Sequence, residues 1–128
     1  MDMTMFSLTV DYDGGTLLTT LPCDPHELEN QLGSIGLAHS QDTLRFDAIP
    51  NVSMRVAPMD RRGVLLEPLI DTRTTLYDLN RACVGIYRSD WRTEGTVCGK
   101  LAEKKYGSVK EVADDCARRS NRNRAKER

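Results

Sequence analysis

Cys23 and His26 stand three positions apart, a spacing at which a thiolate and an imidazole can share a metal ion. A structural zinc site takes four ligands, usually as two close pairs, and His39, Cys83, Cys98 and Cys116 supply no second short pair. Cys23 also suits the position ahead of a helix cap, where it packs on Leu28 as a staple. Cys83 and Cys116 fall on apolar stripes, the usual setting of buried thiols. No metal and no other cofactor is expected. A serine or cysteine nucleophile needs an adjacent, oriented base. His26 and His39 are the chain's two histidines, and neither sits beside a recognisable nucleophile motif. Asp13-Gly14-Gly15 is a turn with no helix behind it, so it does not cradle phosphate. Glu27 and Glu29 diverge on a helix, because positions i and i+2 do not face each other. The sequence reads as a binding protein and not an enzyme.

The elements that carry these residues follow from periodicity. Phe6, Leu8 and Val10 alternate with Ser7 and Thr9, as in a half-buried strand. Asp13-Gly14-Gly15 turns the chain, and Thr16 to Leu21 is the return strand. Asp24-Pro25-His26-Glu27 starts a helix over about residues 25–32, with Asp24 as cap and Pro25 in the first turn. Leu44, Phe46 and Ala48 alternate, as do Val52, Met54 and Val56, giving a second hairpin joined at Pro50-Asn51. Asp60 to Gly63 reads as a turn, and Val64 to Leu66 as a short fifth strand. Thr75 caps a helix whose stripe is Leu76, Leu79, Cys83, Ile86 and Tyr87, with Gly85 its weak point. A further helix is expected from Thr93 to about Lys105. Tyr106-Gly107 breaks it, and Ser108 caps another that buries Val109, Val112, Ala113 and Cys116. Ser120 to Arg128 is polar and basic, and is expected to be loose.

The expected architecture is α+β: a small antiparallel sheet of four or five strands in a hairpin-helix-hairpin order, with helices on one face. Residues 1–90 form the acidic α+β domain, and residues 91–128 a C-terminal helical hairpin with a basic tail. The 128 residues suit one compact unit of this kind. The start of the chain has no basic, apolar leader, and its four cysteines are scattered, which predicts reduced thiols and a cytoplasmic location.

Charge is unevenly distributed. The overall balance is −1, yet residues 1–60 hold nine acids against Arg45 and Arg55, while residues 104–128 hold nine bases against four acids. Two electrostatic faces predict two kinds of partner. On the acidic side the candidate binding residues are Asp11, Asp13, Asp24, Glu27, Glu29, Asp42 and Asp47. On the basic side they are Lys104, Lys105, Lys110, Arg118, Arg119, Arg122 and Arg124. Leu101 to Val112 has the look of a helix-turn-helix, with Gly107 in the turn and Ser108 as cap. This gives the alternative function, a small DNA- or RNA-binding regulator. Glu111, Asp114 and Asp115 on its second helix work against phosphate contact.

Several short motifs add a resemblance. Tyr12-Asp13-Gly14-Gly15, Leu21-Pro22-Cys23, Glu27-Leu28-Glu29 and Leu32-Gly33-Ser34-Ile35-Gly36-Leu37 resemble the amino-terminal segment of the ArdA-type antirestriction proteins. Leu76-Tyr77-Asp78-Leu79-Asn80 is similar to that family's "LxxLN" helix start, and the likeness covers about the first 87 residues. The resemblance implies a non-catalytic counter-defence protein carried by phages, plasmids or transposons and acting in the host bacterial cytoplasm. Such a protein imitates the phosphates of bent DNA and occupies the DNA channel of a type I restriction–modification enzyme. The family is acidic throughout and dimerises, whereas this chain carries a basic arm. A short acidic patch fits a smaller positive feature, such as the PAM-reading arginines or seed channel of an RNA-guided nuclease, as in an anti-CRISPR protein. The arm is then expected to contact guide RNA, DNA or an acidic protein surface.

Overall fold

The computed structural model describes residues 4–35, 53–71 and 73–126, with residues 120–126 as backbone only. Strand β1 (Phe6–Tyr12) pairs antiparallel with β2 (Gly15–Leu21) across the tight turn at Asp13-Gly14. Gly14 and Gly15 take φ of 141° and 157°, a backbone conformation that L side chains resist and glycine adopts freely. The Leu21–Pro22 peptide is cis. Helix α1 (Pro25–Ser34) follows, and Asp24 accepts from the backbone N–H groups of His26 at 2.9 Å and Glu27 at 3.3 Å.

Strand β3 (Ser53–Pro58) returns alongside β1, so the sheet order is β2-β1-β3. The registers place Phe6, Leu8 and Val10 on one face with Leu21, Leu17, Val56 and Met54. Phe6, Leu8 and Val10 are fully buried. The opposite face carries Ser7, Thr9 and Asp11 between Thr16, Leu18 and Thr20 on one side and Ser53, Arg55 and Ala57 on the other. Three antiparallel strands are thus described. The strand expected at Leu44–Ala48 lies outside the described residues.

The fifth strand expected at Val64–Leu66 is instead part of a helix, α2 (Arg61–Leu66). Asp60, read as a turn residue, caps that helix by accepting from the Gly63 N–H at 3.0 Å. Its other oxygen accepts from Arg62 Nη2 at 2.7 Å, which steadies the first turn. A helical turn at Glu67–Leu69 continues the chain.

Helix α3 (Leu76–Tyr87) starts where Thr75 Oγ1 accepts from Asp78 N–H, and buries Leu76, Leu79, Ala82, Cys83 and Ile86. Helix α4 (Trp91–Ala102) begins two residues earlier than the sequence suggested, because Asp90 caps it through the Thr93 N–H at 2.7 Å. It ends at Ala102, since Lys104 adopts φ 60° and turns the chain. Helix α5 (Val109–Lys126) is capped by Ser108 through the Glu111 N–H, and the Glu111 carboxylate accepts from Gly107 N–H at 2.6 Å. The helix runs on to Lys126, where a loose tail from Ser120 was expected.

The α3–α5 seam explains Gly85. A Cβ there would stand 2.7 Å from Cys116 Cβ, so the apparent weak point of α3 is what lets the two helices meet. Buried residues of α5 belong to the same core cluster as those of the sheet. Among the described residues no helix is long and apolar enough to cross a membrane.

Candidate partner-binding site

The acidic candidates occupy two ends of the first hairpin. Asp11 lies near the turn, and Asp13 in it is exposed. Asp24 and Glu27 are exposed at the start of α1, beyond the far end of β2. A seven-residue strand separates the groups, roughly 20 Å at about 3.4 Å per residue. Glu29 is half-buried on α1, and Asp42 and Asp47 lie outside the described residues.

These carboxylates differ in how far they are already satisfied. Asp11 accepts from Arg55 Nη2 at 3.0 Å and from Thr16 Oγ1 at 2.9 Å, so much of its charge is met within the sheet. Arg55 lies on β3, diagonal to Asp11 across the strand pair. Asp24 is held by backbone N–H groups, which fix its orientation without cancelling its charge. Among the described residues, Asp13 and Glu27 have no ion-pair partner, and their negative charge faces solvent.

The hairpin and α1 are tied to α3 by one buried side chain. Asn80 Oδ1 accepts from Cys23 N–H at 2.9 Å, and Asn80 Nδ2 donates to the Cys23 carbonyl at 2.7 Å. Asn80 is buried, and the reciprocal pair fixes the chain just ahead of Asp24. The Leu21-Pro22-Cys23 and Leu76–Asn80 motifs, 57 residues apart at their point of contact, therefore form one joint. Asn80 closes the Leu76–Asn80 motif, and its part in positioning the hairpin is visible only in this contact. In the sequence, an Asn at the buried phase of a capped helix signals that the side chain needs a partner, without naming it. Asn80→Ala leaves the Cys23 N–H and C=O without partners and is expected to cost about 3 kcal/mol. Urea unfolding of the variant measures this.

The basic arm is less free than its composition suggests. Asp115 is buried on α5 and accepts from Tyr106 Oη at 2.6 Å and Arg119 Nε at 3.1 Å. Arg118 also binds it, and Lys100 Nζ lies 3.5 Å away and stacks over the Tyr106 ring. Burial acts to raise the Asp115 pKa, but the hydrogen bonds from Tyr106, Arg118 and Arg119 outweigh it and hold the carboxyl well below its ordinary value. The Tyr106 hydroxyl is pushed up by burial and by the Asp115 carboxylate. Asp115 therefore faces inward and does not confront a nucleic acid, while Arg118 and Arg119 are partly committed to it. Asp114 pairs with Arg81 of α3 at 2.8 Å. Lys104, Lys105 and Lys110 are exposed, whereas the side chains of Arg122 and Arg124 lie outside the described set.

The four cysteine thiols are held toward their protonated form. Burial raises the pKa of all four, with the Glu27 and Asp24 charges adding at Cys23 and Glu94 at Cys98. Cys116 is pushed up to about 11. Thiols so shifted stay protonated at neutral pH. Among the described residues, no group of three or more His, Cys, Asp and Glu side chains is placed to hold a metal ion. His26 is exposed on α1, and His39 lies outside the described residues. The described residues display exposed carboxylates at Asp13, Asp24 and Glu27 on a hairpin and helix joined to α3 through Asn80. Comparison of the chain with protein-family models, curated proteins and solved structures gives no match.

Proposed function

We propose that this chain is a non-catalytic counter-defence protein that binds a bacterial nuclease and obstructs its nucleic-acid site. The carrying observation is the set of outward carboxylates at Asp13, Asp24 and Glu27, presented on a hairpin and helix that the Asn80–Cys23 joint holds in place. Two acidic points roughly 20 Å apart do not form a continuous phosphate track, since duplex DNA carries a charge about every 1.7 Å of axis. They suit a target with two separate cationic anchors, such as the PAM-reading and seed regions of an RNA-guided nuclease, or part of a type I restriction enzyme's DNA channel. Charge complementarity of this kind speeds association and makes it sensitive to salt.

The second reading, a nucleic-acid-binding regulator, draws on α5. That helix continues to Lys126, so Arg122, Arg124 and Lys126 ride on a regular scaffold with exposed Lys110 on the same element. A gel-shift titration against salt separates the readings. The favoured function predicts no duplex or RNA binding by the protein alone, and loss of target-DNA binding by the nuclease when the protein is added. Salt-dependent DNA affinity of the isolated protein, lost on replacing Lys104, Lys105 and Lys110, supports the regulator.

A further inference from the structure

The chain's single tryptophan, Trp91, heads α4 and is 77% exposed. At 3.6 residues per turn, Gly95, Cys98, Gly99 and Ala102 fall on the same helix face as Trp91. A Cβ built at Gly95 or Gly99 meets nothing within 4 Å, so the backbone of this face is bare and approachable. Together with Arg61 and Leu65 of α2, the face lines an open groove. Two glycines in a helix interior each cost about 1 kcal/mol relative to alanine. A large indole left in water adds to that cost. A second helix lying close over the glycines and against the indole offsets both.

The charges on the face say which helix this is. Arg92 and Glu103 lie along one flank, about three turns apart. Arg92 stacks over Trp91 at 5.2 Å, and neither Arg92 nor Glu103 has an ion-pair partner among the described residues. A two-fold axis crossing α4 midway between Gly95 and Gly99 sets Gly95 of one copy against Gly99 of the other. The same operation sets the Trp91–Arg92 end of one copy level with the Ala102–Glu103 end of the other. Trp91 then comes within one residue's rise of lying over Ala102 on the shared face, and Arg92 within one residue's rise of lying beside Glu103 on the shared flank, and this happens twice. In an antiparallel pair, like flanks meet, so the opposite charges fall together. We infer that the chain self-associates as a two-fold dimer through antiparallel contact of its α4 helices. The interface is isologous, each copy presenting the same self-complementary patch. It does not depend on which partner the acidic residues engage.

Sedimentation of the full chain across a concentration series tests this, with the tryptophan emission followed in parallel. The expected result is a mass that doubles with concentration and an emission that shifts to the blue as the indole leaves water. Gly95→Gln with Gly99→Gln has room in the monomer and improves helix propensity, so the variant folds, yet it stays monomeric. Arg92→Glu weakens association on the order of tenfold, and adding Glu103→Arg restores it. A parent chain that stays monomeric at every concentration overturns the inference, as does a glutamine variant that dimerises like the parent.

Discussion

Replacing Asp115 by alanine is expected to destabilise the protein by about 3 kcal/mol, the lower end of the range for breaking a buried ion cluster. The carboxylate holds the Tyr106 hydroxyl, Arg118 and Arg119, with Lys100 close by, and it pins the α4–α5 turn against α5. Its loss leaves the buried Tyr106 hydroxyl without an acceptor and three cations crowded together. Arg118 is the most exposed of the three and can turn to water, which keeps the cost at that lower end. Chemical denaturation measures the loss, and Asp115→Asn, which keeps some hydrogen bonding, is expected to fall between alanine and the parent. The same group sets the acid limb of stability. Because its native pKa is depressed, its contribution is complete above the ordinary carboxylate value of about 4. It then declines as pH falls through the native value. The raised Tyr106 pKa works at the other end, and its contribution is lost as pH rises above about 10. Both limbs should flatten in Asp115→Asn.

Gly63→Ala is expected to cost about as much, near 3 kcal/mol, for a steric reason. A Cβ at Gly63 would lie 2.2 Å from the Met5 carbonyl oxygen and 3.2 Å from Pro58 Cβ. That oxygen also accepts from Met59 N–H at 2.8 Å, so it cannot move aside without losing a backbone bond at the sheet edge. Helix α2 must therefore lift away from β1 and β3. The contrast with Gly95 is direct, because alanine there meets open space and should stabilise the chain by up to about 1 kcal/mol. Thermal or urea unfolding of the two variants should move in opposite directions.

Much of this fold was readable where one periodicity dominates. The alternation of Phe6, Leu8 and Val10, the Asp24-Pro25 start, and the Leu76–Ile86 stripe each have one simple solution. Val64-Leu65-Leu66 does not, since a short apolar run suits a strand or a helix equally. The Asp60 cap, a local contact to the Gly63 N–H, and the close approach of Gly63 to Met5, a tertiary one, decide it. The same holds for the site. The carboxylates were visible by type, but the Arg55 that meets Asp11 comes from a strand 44 residues away and depends on register. Asp115 was readable as an acid on a helix, with Arg118 and Arg119 at i+3 and i+4. Its burial under Tyr106 follows only from how the α4–α5 turn closes.

The claim on which the functional reading rests is that outward carboxylates at both ends of the first hairpin make the contact with the nuclease. Its most direct measurement compares the parent with a variant carrying Asp13→Asn, Asp24→Asn and Glu27→Gln, as inhibitors of target-DNA binding by a purified nuclease. Asparagine at position 24 keeps a capping side chain, so the fold is retained. The account predicts that the variant, with an unchanged unfolding midpoint, loses inhibition and that the parent's inhibition weakens as salt rises. Full inhibition by the folded, neutralised variant contradicts it.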